Sequence, residues 1–231
     1  LIIILASILS NNKNSNLYLK YLLSIVIIST ISLFLIMQPD IGQTLLVVFS
    51  WGVLIFTSGI NIFFLLVFAI FLSILLTFLI IYVPRFDYIQ GRIFSFFNRD
   101  TGAHNFQSDK AIDSIVSGGF FGKGIGEGTL KNRVPEAHTD YIISVISEEF
   151  GVIAIMLILL LFLILIYRVL KKVNYEKNEK AKLVLIGCVS LILMQVTIHV
   201  GVNIRLFPTT GMTLPFLSYG GSSIVSISIL S

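Results

Sequence analysis

The stretch that decides the fold is Ile41–Pro84, IGQTLLVVFSWGVLIFTSGINIFFLLVFAIFLSILLTFLIIYVP, 44 consecutive residues without one Asp, Glu, Lys or Arg. A membrane-crossing helix needs about 20 apolar residues, so there is room here for two. Ser58-Gly59-Ile60-Asn61 supplies the turn between them. The two spans read as about 44–57 and 62–83. Upstream, residues 21–37 form the preceding span, ended at Gln38-Pro39-Asp40 by a proline and a charge. Residues 1–9 read as the tail of another span, separated from it by the polar loop Asn11–Asn16. Downstream, spans are expected at about 141–167 and 183–204, with a truncated one beginning near Ser218. The expected fold is therefore an all-α polytopic membrane protein of about five complete and two truncated spans, forming one membrane domain over 1–231. The chain opens Leu1-Ile2-Ile3-Ile4-Leu5 as though already inside a helix, without the basic flank of a signal peptide. A piece of a longer protein is expected.

Composition agrees with a lipid setting. Charged residues make up 12% of the chain and hydrophobic ones 56%, whereas a soluble domain carries about 25% charged. The net charge of +4 does not point to nucleic acid, because the basic residues cluster in loops beside spans, where they set orientation. Loop 168–182 holds Arg168, Lys171, Lys172, Lys177, Lys180 and Lys182 against Glu176 and Glu179, and is expected to be cytoplasmic. Counting spans back makes loop 10–20, with Lys13 and Lys20, cytoplasmic too. The same count places 84–140, the Gln38–Asp40 turn and 205–217 outside. Cys188 is the single cysteine, which excludes a disulfide within the chain.

Loop 84–140 is too long for a simple connection. It alternates charge with aromatics (Phe94, Phe96, Phe97, Phe106, Phe120, Phe121), which predicts a folded, partly membrane-lying segment. A short helix is expected over 107–117, with Ala111, Ile112, Ile115 and Val116 on one face. The densest polar constellation is Val134-Pro135-Glu136-Ala137-His138-Thr139-Asp140, just before the span starting at Tyr141. Thr139 or Asp140 can N-cap that helix. Asp140 can equally serve as a general base, since partial desolvation at a membrane boundary raises a carboxyl pKa while a helix N-terminus lowers it. Glu148 and Glu149 follow inside apolar surroundings, where carboxylates face a bundle interior or a cavity. At about 100° per residue, Glu148 falls roughly 80° from Asp140 and Glu149 roughly 180°. Glu148 is thus the better partner, with pairing to a basic residue as the structural alternative.

Gly118-Gly119-Phe120-Phe121-Gly122-Lys123-Gly124-Ile125-Gly126-Glu127-Gly128 is glycine-dense but lacks the spacing and context of a P-loop. Tight turns account for it. Lys123, Lys131 and Arg133 are nonetheless placed to meet a lipid pyrophosphate. His138 with Asp140 or Glu136 can approach a metal, yet three histidines and one cysteine give no metal signature. His199 reads as a hydrogen-bonded bundle residue. Pro208–Ser223 is too polar and glycine-rich for lipid contact, and such backbone persists at membrane depth only against protein or a cavity.

Taken in order, Gln38-Pro39-Asp40, Pro135–Asp140 with Glu148-Glu149 after it, and Pro208–Ser223 resemble the SEDS family, the FtsW/RodA/SpoVE membrane proteins of bacterial cell-wall synthesis. The likeness spans nearly the whole chain and matches the end of the fourth through the start of the tenth of the family's ten spans. Pro135-Glu136-Ala137-His138-Thr139-Asp140 and Gly126-Glu127-Gly128 look more like the division members, FtsW, than RodA. His199 departs from the family's usual Asn. The resemblance implies a peptidoglycan glycosyltransferase that polymerises lipid II in septal wall synthesis, with a class B penicillin-binding protein and other divisome proteins as partners. It implies that Asp140 deprotonates the acceptor sugar, with inversion and departure of undecaprenyl pyrophosphate. Basic loop residues or a divalent cation (Mg or Mn) would stabilise the leaving charge. Glu136, His138, Thr139, Glu148, Lys123, Lys131, Arg133, Ser218, Gly220, Gly221 and Ser222 are the implied substrate-binding residues. The piece alone is expected to be inactive. A lipid II flippase, a RodA-like elongation polymerase and a scaffold for a penicillin-binding protein are the competing readings. An external carboxylate favours an enzyme over a flippase, and a scaffold leaves the charged loop unexplained.

Overall fold

The structure, a computed structural model, describes residues 1–10, 17–38, 40–98, 103–129 and 137–219. Among these the regular elements are α1 (Ile2–Leu9), α2 (Leu17–Met37), α3 (Ile41–Thr57), α4 (Ile62–Tyr82), a 3-10 turn (Pro84–Phe86), α5 (Asp87–Asn98), α6 (Ala103–Gly118), α7 (Ile142–Tyr175) and α8 (Glu179–Asn203). Three helical stretches, Leu19–Met37 in α2 and the whole of α7 and α8, are long and apolar enough to cross a membrane; α3 and the later part of α4 are shorter apolar helices. Phe63, Phe71, Ile74 and Phe78 of α4 stand exposed, as lipid-facing side chains do. The protein is an all-helical, multi-pass membrane protein.

The helices follow the apolar runs, and their ends show local chemistry. Asp40, read as a helix terminator, starts α3 as its N-cap, its Oδ1 accepting from Gln43 N–H at 3.0 Å. The expected loop 168–182 is shorter than the sequence suggested. α7 continues to Tyr175 and α8 begins at Glu179, because Lys171 and Lys172 suit the negative end of a helix and Asn178 Oδ1 accepts from Lys180 N–H at 3.0 Å to open the next one. The predicted helix 107–117 extends over Ala103–Gly118. Its inner face is Ser108, Ala111, Ser114 and Gly118, all buried, while Val116 is exposed. Small side chains, rather than the largest apolar ones, define the face that packs.

The chain forms two compact units. The first comprises Leu1–Gln90 and Ile166–Met194. Here Trp51 Nε1 donates to Ser24 Oγ at 3.3 Å, tying α3 to α2. Gly187 lets α1 approach α8, since a Cβ there would lie 2.7 Å from Ile2 Cγ2. A cavity of about 670 Å³ lies among α2, α3 and α4, walled by Val48, Trp51, Phe56, Phe68 and Leu72. The second unit comprises Gly91–Leu165 and the residues from Gln195 onward. It holds α6, the first part of α7, the end of α8 and an irregular segment over 204–219, and every candidate site residue that the structure describes lies in it.

Candidate functional site

The turn 137–140 leads into α7, which begins at Ile142. Tyr141, whose carbonyl accepts from Ser144 and Val145 N–H, therefore occupies the cap position expected for Thr139 or Asp140. Three successive carbonyls of the turn are held by other elements. His138 O accepts from Tyr219 N–H at 3.0 Å, Thr139 O from Ser218 Oγ at 2.7 Å, and Asp140 O from Asn203 Nδ2 at 3.2 Å. With its backbone fixed, the turn leaves His138 exposed and Thr139 and Asp140 half-buried. Gly211, at φ +69°, lies against the acid, since a Cβ there would sit 3.5 Å from Asp140 Oδ2.

The opposite side of these contacts is itself anchored. Ser218 Oγ accepts from Leu214 N–H at 2.8 Å. Arg92 Nη1 donates to Thr209 O at 2.8 Å, Gln195 Nε2 to Thr213 O at 2.9 Å, and His199 Nδ1 to Met212 O at 2.7 Å. Asn203 Nδ2 also donates to His199 O at 2.9 Å, and Arg205 pairs with Asp109 of α6. An irregular backbone in a membrane protein persists only when its polar groups find such partners. The phenol of Tyr141, fully buried and without a hydrogen-bond partner among the described residues, is held above its ordinary pKa. Burial is the main cause, the Asp140 charge adds to it, and the Arg92 guanidinium opposes it.

α7 is broken at Gly151, where φ is 80° and ψ 176°. An unbroken helix would bond Val152 N–H to Glu148 O and Ile153 N–H to Glu149 O. Instead the glycine-rich segment Gly118–Gly128 lies in the break as a strap. Lys123 N–H donates to Glu148 O at 2.9 Å and Gly124 N–H to Glu149 O at 3.0 Å, while Val152 and Ile153 N–H donate to Gly119 O at 3.0 Å and Phe120 O at 3.4 Å. All four groups opened by the break are thus satisfied. The glycines are required by proximity. A Cβ at Gly118 would lie 1.9 Å from Ser147 O, one at Gly122 2.2 Å from Glu149 O, and one at Gly151 2.1 Å from Phe120 O. Side chains reinforce the joint. Glu149 Oε1 accepts from Gly126 N–H at 3.2 Å, and Glu148, 0% exposed, pairs with Lys123 Nζ at 3.6 Å.

A family model described as a cell cycle protein, FtsW/RodA/SpoVE, matches residues 1–231. The chain belongs to the FtsW/RodA/SpoVE family. It is 35% identical over 195 residues to a probable peptidoglycan glycosyltransferase FtsW of Caulobacter vibrioides, covering 84% of this chain and 49% of that protein. It is 37% identical over 196 residues to stage V sporulation protein E of Bacillus subtilis, covering 83% and 52%. Among solved structures, one described as structural coordination of polymerization and crosslinking by a peptidoglycan synthase complex matches with a TM-score of 0.74 and 25% identity, covering 99% of this chain and 64% of that one. The rod shape determining protein RodA of Thermus thermophilus, a point mutant, matches with a TM-score of 0.64 and 25% identity, covering 98% and 59%. The chain spans about half the length of the curated relatives it matches.

Of the residues that the resemblance to FtsW/RodA/SpoVE proteins singled out, the structure brings His138, Thr139, Asp140 and Ser218 together at one turn. Glu148 and Lys123 meet each other at the strap instead. Glu136, Lys131, Arg133, Gly220, Gly221 and Ser222 lie outside the described residues. Among the described residues no three of His, Cys, Asp and Glu gather at one point. Arg92, Tyr141 and Asn203 were not anticipated. Asn203 had a usable signal, since it lies four residues after His199 on the same helix face.

Proposed function

We propose that the intact protein is a peptidoglycan glycosyltransferase that polymerises lipid II in septal wall synthesis, working in the bacterial plasma membrane with a class B penicillin-binding protein and divisome proteins. Loop 84–140 then faces outward and loop 168–182 the cytoplasm. The observation that carries the reading is Asp140, a half-buried carboxylate on a turn whose three carbonyls are each held from outside. The charge-free stretch of α7 starts at Phe150, ten residues later, so at a helical rise Asp140 lies about 15 Å along the axis from it. That is the level of the sugars of a membrane-held substrate, not of its lipid tail.

In this reading Asp140 takes the proton of the acceptor's 4-hydroxyl. The freed oxygen attacks the donor's anomeric carbon with inversion, and the bond to the pyrophosphate breaks with its electrons leaving on undecaprenyl pyrophosphate. Arg92, whose charge already acts at Tyr141, and Lys131 and Arg133 of the same loop would neutralise that leaving group. Glu136, His138, Thr139, Ser218, Gly220, Gly221 and Ser222 would line the sugar and phosphate sites. Lys123 and Glu148 would serve by fixing the strap.

The test is lipid II polymerisation by the intact protein and its partner in liposomes. Asp140→Asn is expected to lower the rate by about 100-fold or more while lipid II binding persists. Wild-type polymerisation by the variant would overturn the assignment of the base. Lipid II crossing the bilayer with no polymerisation by the wild type would replace the enzyme with a flippase.

A further inference from the structure

The strap carries side chains that its own joint does not use. Phe120 is 73% exposed, Phe121 84% and Ile125 79%, the pattern of a prong without a protein cover. Its level is fixed by hydrogen bonds. Phe120 O accepts from Ile153 N–H, so Phe120 stands beside Ile153 of α7.

The level of Ile153 follows from the charges that bracket it. Between Glu149 and Arg168 the chain has 18 residues, Phe150–Tyr167, with no Asp, Glu, Lys or Arg. At a 1.5 Å rise they span about 27 Å, close to the roughly 30 Å hydrocarbon core of a bilayer. Ile153, the fourth residue of this stretch, then lies near its boundary. Ile153, Met156 and Leu157 are themselves exposed, as lipid-facing residues are, and Phe120 is bonded beside the first of them. Phenylalanine and aliphatic side chains are the ones that interface-lying segments bury at the boundary between headgroups and acyl chains.

We infer that the Phe120–Phe121–Ile125 prong of the strap inserts into the bilayer interface and anchors the Gly118–Gly128 segment to lipid. Being bonded to Glu148–Ile153, the prong ties the depth of the strap to that of the membrane span. The inference needs only the family's membrane setting and stands whether or not the glycosyltransferase reading holds.

The test is spin-label accessibility on the intact protein in nanodiscs, in a Cys188→Ser background, with single cysteines at Phe121→Cys and, independently, Ile125→Cys. Met156→Cys marks the lipid face and Lys177→Cys the aqueous face. Labels at 121 and 125 are expected to collide with dissolved oxygen several-fold more than with a water-soluble nickel chelate, grouping with position 156. Grouping with position 177 would overturn the inference. Labels that favour the nickel chelate in the protein alone but are shielded from both reagents once the penicillin-binding protein is added would also overturn it, assigning the prong to a protein contact.

Discussion

Replacing Gly122 with alanine separates two costs that glycine substitutions usually mix. Gly122 has φ +77° and Gly126 φ +83°, so alanine at either position meets the same left-handed strain of about 1–2 kcal/mol. Only Gly122 is crowded, with a new Cβ 2.2 Å from Glu149 O, whereas nothing lies within 4 Å at Gly126. Reaching ordinary contact at 3.4 Å means moving the strap by 3.4 − 2.2 = 1.2 Å. The neighbouring bonds of 2.9 and 3.0 Å, Lys123 to Glu148 O and Gly124 to Glu149 O, would then exceed about 4 Å and cease to be hydrogen bonds. Each lost bond contributes about 1 kcal/mol, and more where the groups stay buried. Gly122→Ala should therefore weaken docking by about 3–4 kcal/mol in all and Gly126→Ala by about 1–2. At about 1.4 kcal/mol per decade, amide exchange at Val152 and Ile153 in detergent-solubilised protein should quicken by roughly 100-fold or more in the first variant and about tenfold in the second. Equal exchange rates in the two variants would refute the reasoning, because the close approach would then contribute nothing.

Three further outcomes test the site. If the proposed reading holds, Asp140→Asn in the intact protein should lower lipid II polymerisation by about 100-fold or more. Lys123→Met should lower thermal stability by about 1–3 kcal/mol by depriving a buried carboxylate of its cation, discounted because Lys123 is half exposed. Adding Glu148→Gln should restore much of that loss, and no recovery in the double variant would argue against the pairing. The raised pKa of Tyr141 means that the fold favours the protonated phenol. Its contribution is fully present below the unfolded pKa of about 10 and is lost as pH climbs above it. Ultraviolet difference titration should show the highest-titrating tyrosine disappear in Tyr141→Phe, and that variant should resist alkaline unfolding better than wild type. A Tyr141 that titrates with the exposed tyrosines would contradict its burial.

Much of this fold was legible because lipid makes a simple demand. Long uncharged runs had to be helices, and Ile41–Pro84 alone placed two of them. Orientation of the polar residues was harder to read. A lone glycine in an apolar run is ordinary in a membrane helix, so nothing marked Gly151 as a break, and the helical-wheel comparison of Glu148 with Glu149 had no means of including a strap between them. The glycines of 118–128 were conspicuous, but the backbone they approach lies some 25 residues away, and closeness between main chains leaves no pattern except the missing side chains. Arg92 bonds a carbonyl 117 residues distant, a pairing that no local periodicity encodes. Asp140 was legible because its turn precedes a span, while the base role proposed for it rests on family likeness. What the structure adds is the fixing of its backbone by Asn203, Ser218 and Tyr219.

The strap joint has a consequence for inheritance and for engineering. Its two halves recognise one another largely through main-chain atoms, so beyond a few glycines and the Lys123–Glu148 and Gly126–Glu149 contacts neither dictates the identity of the other's side chains. They are matched by count: one residue inserted between Gly119 and Gly124 would put both pairs of bonds out of step. A chimera that imports the loop from a relative must therefore bring residues 147–153 as well, or keep the spacing residue for residue.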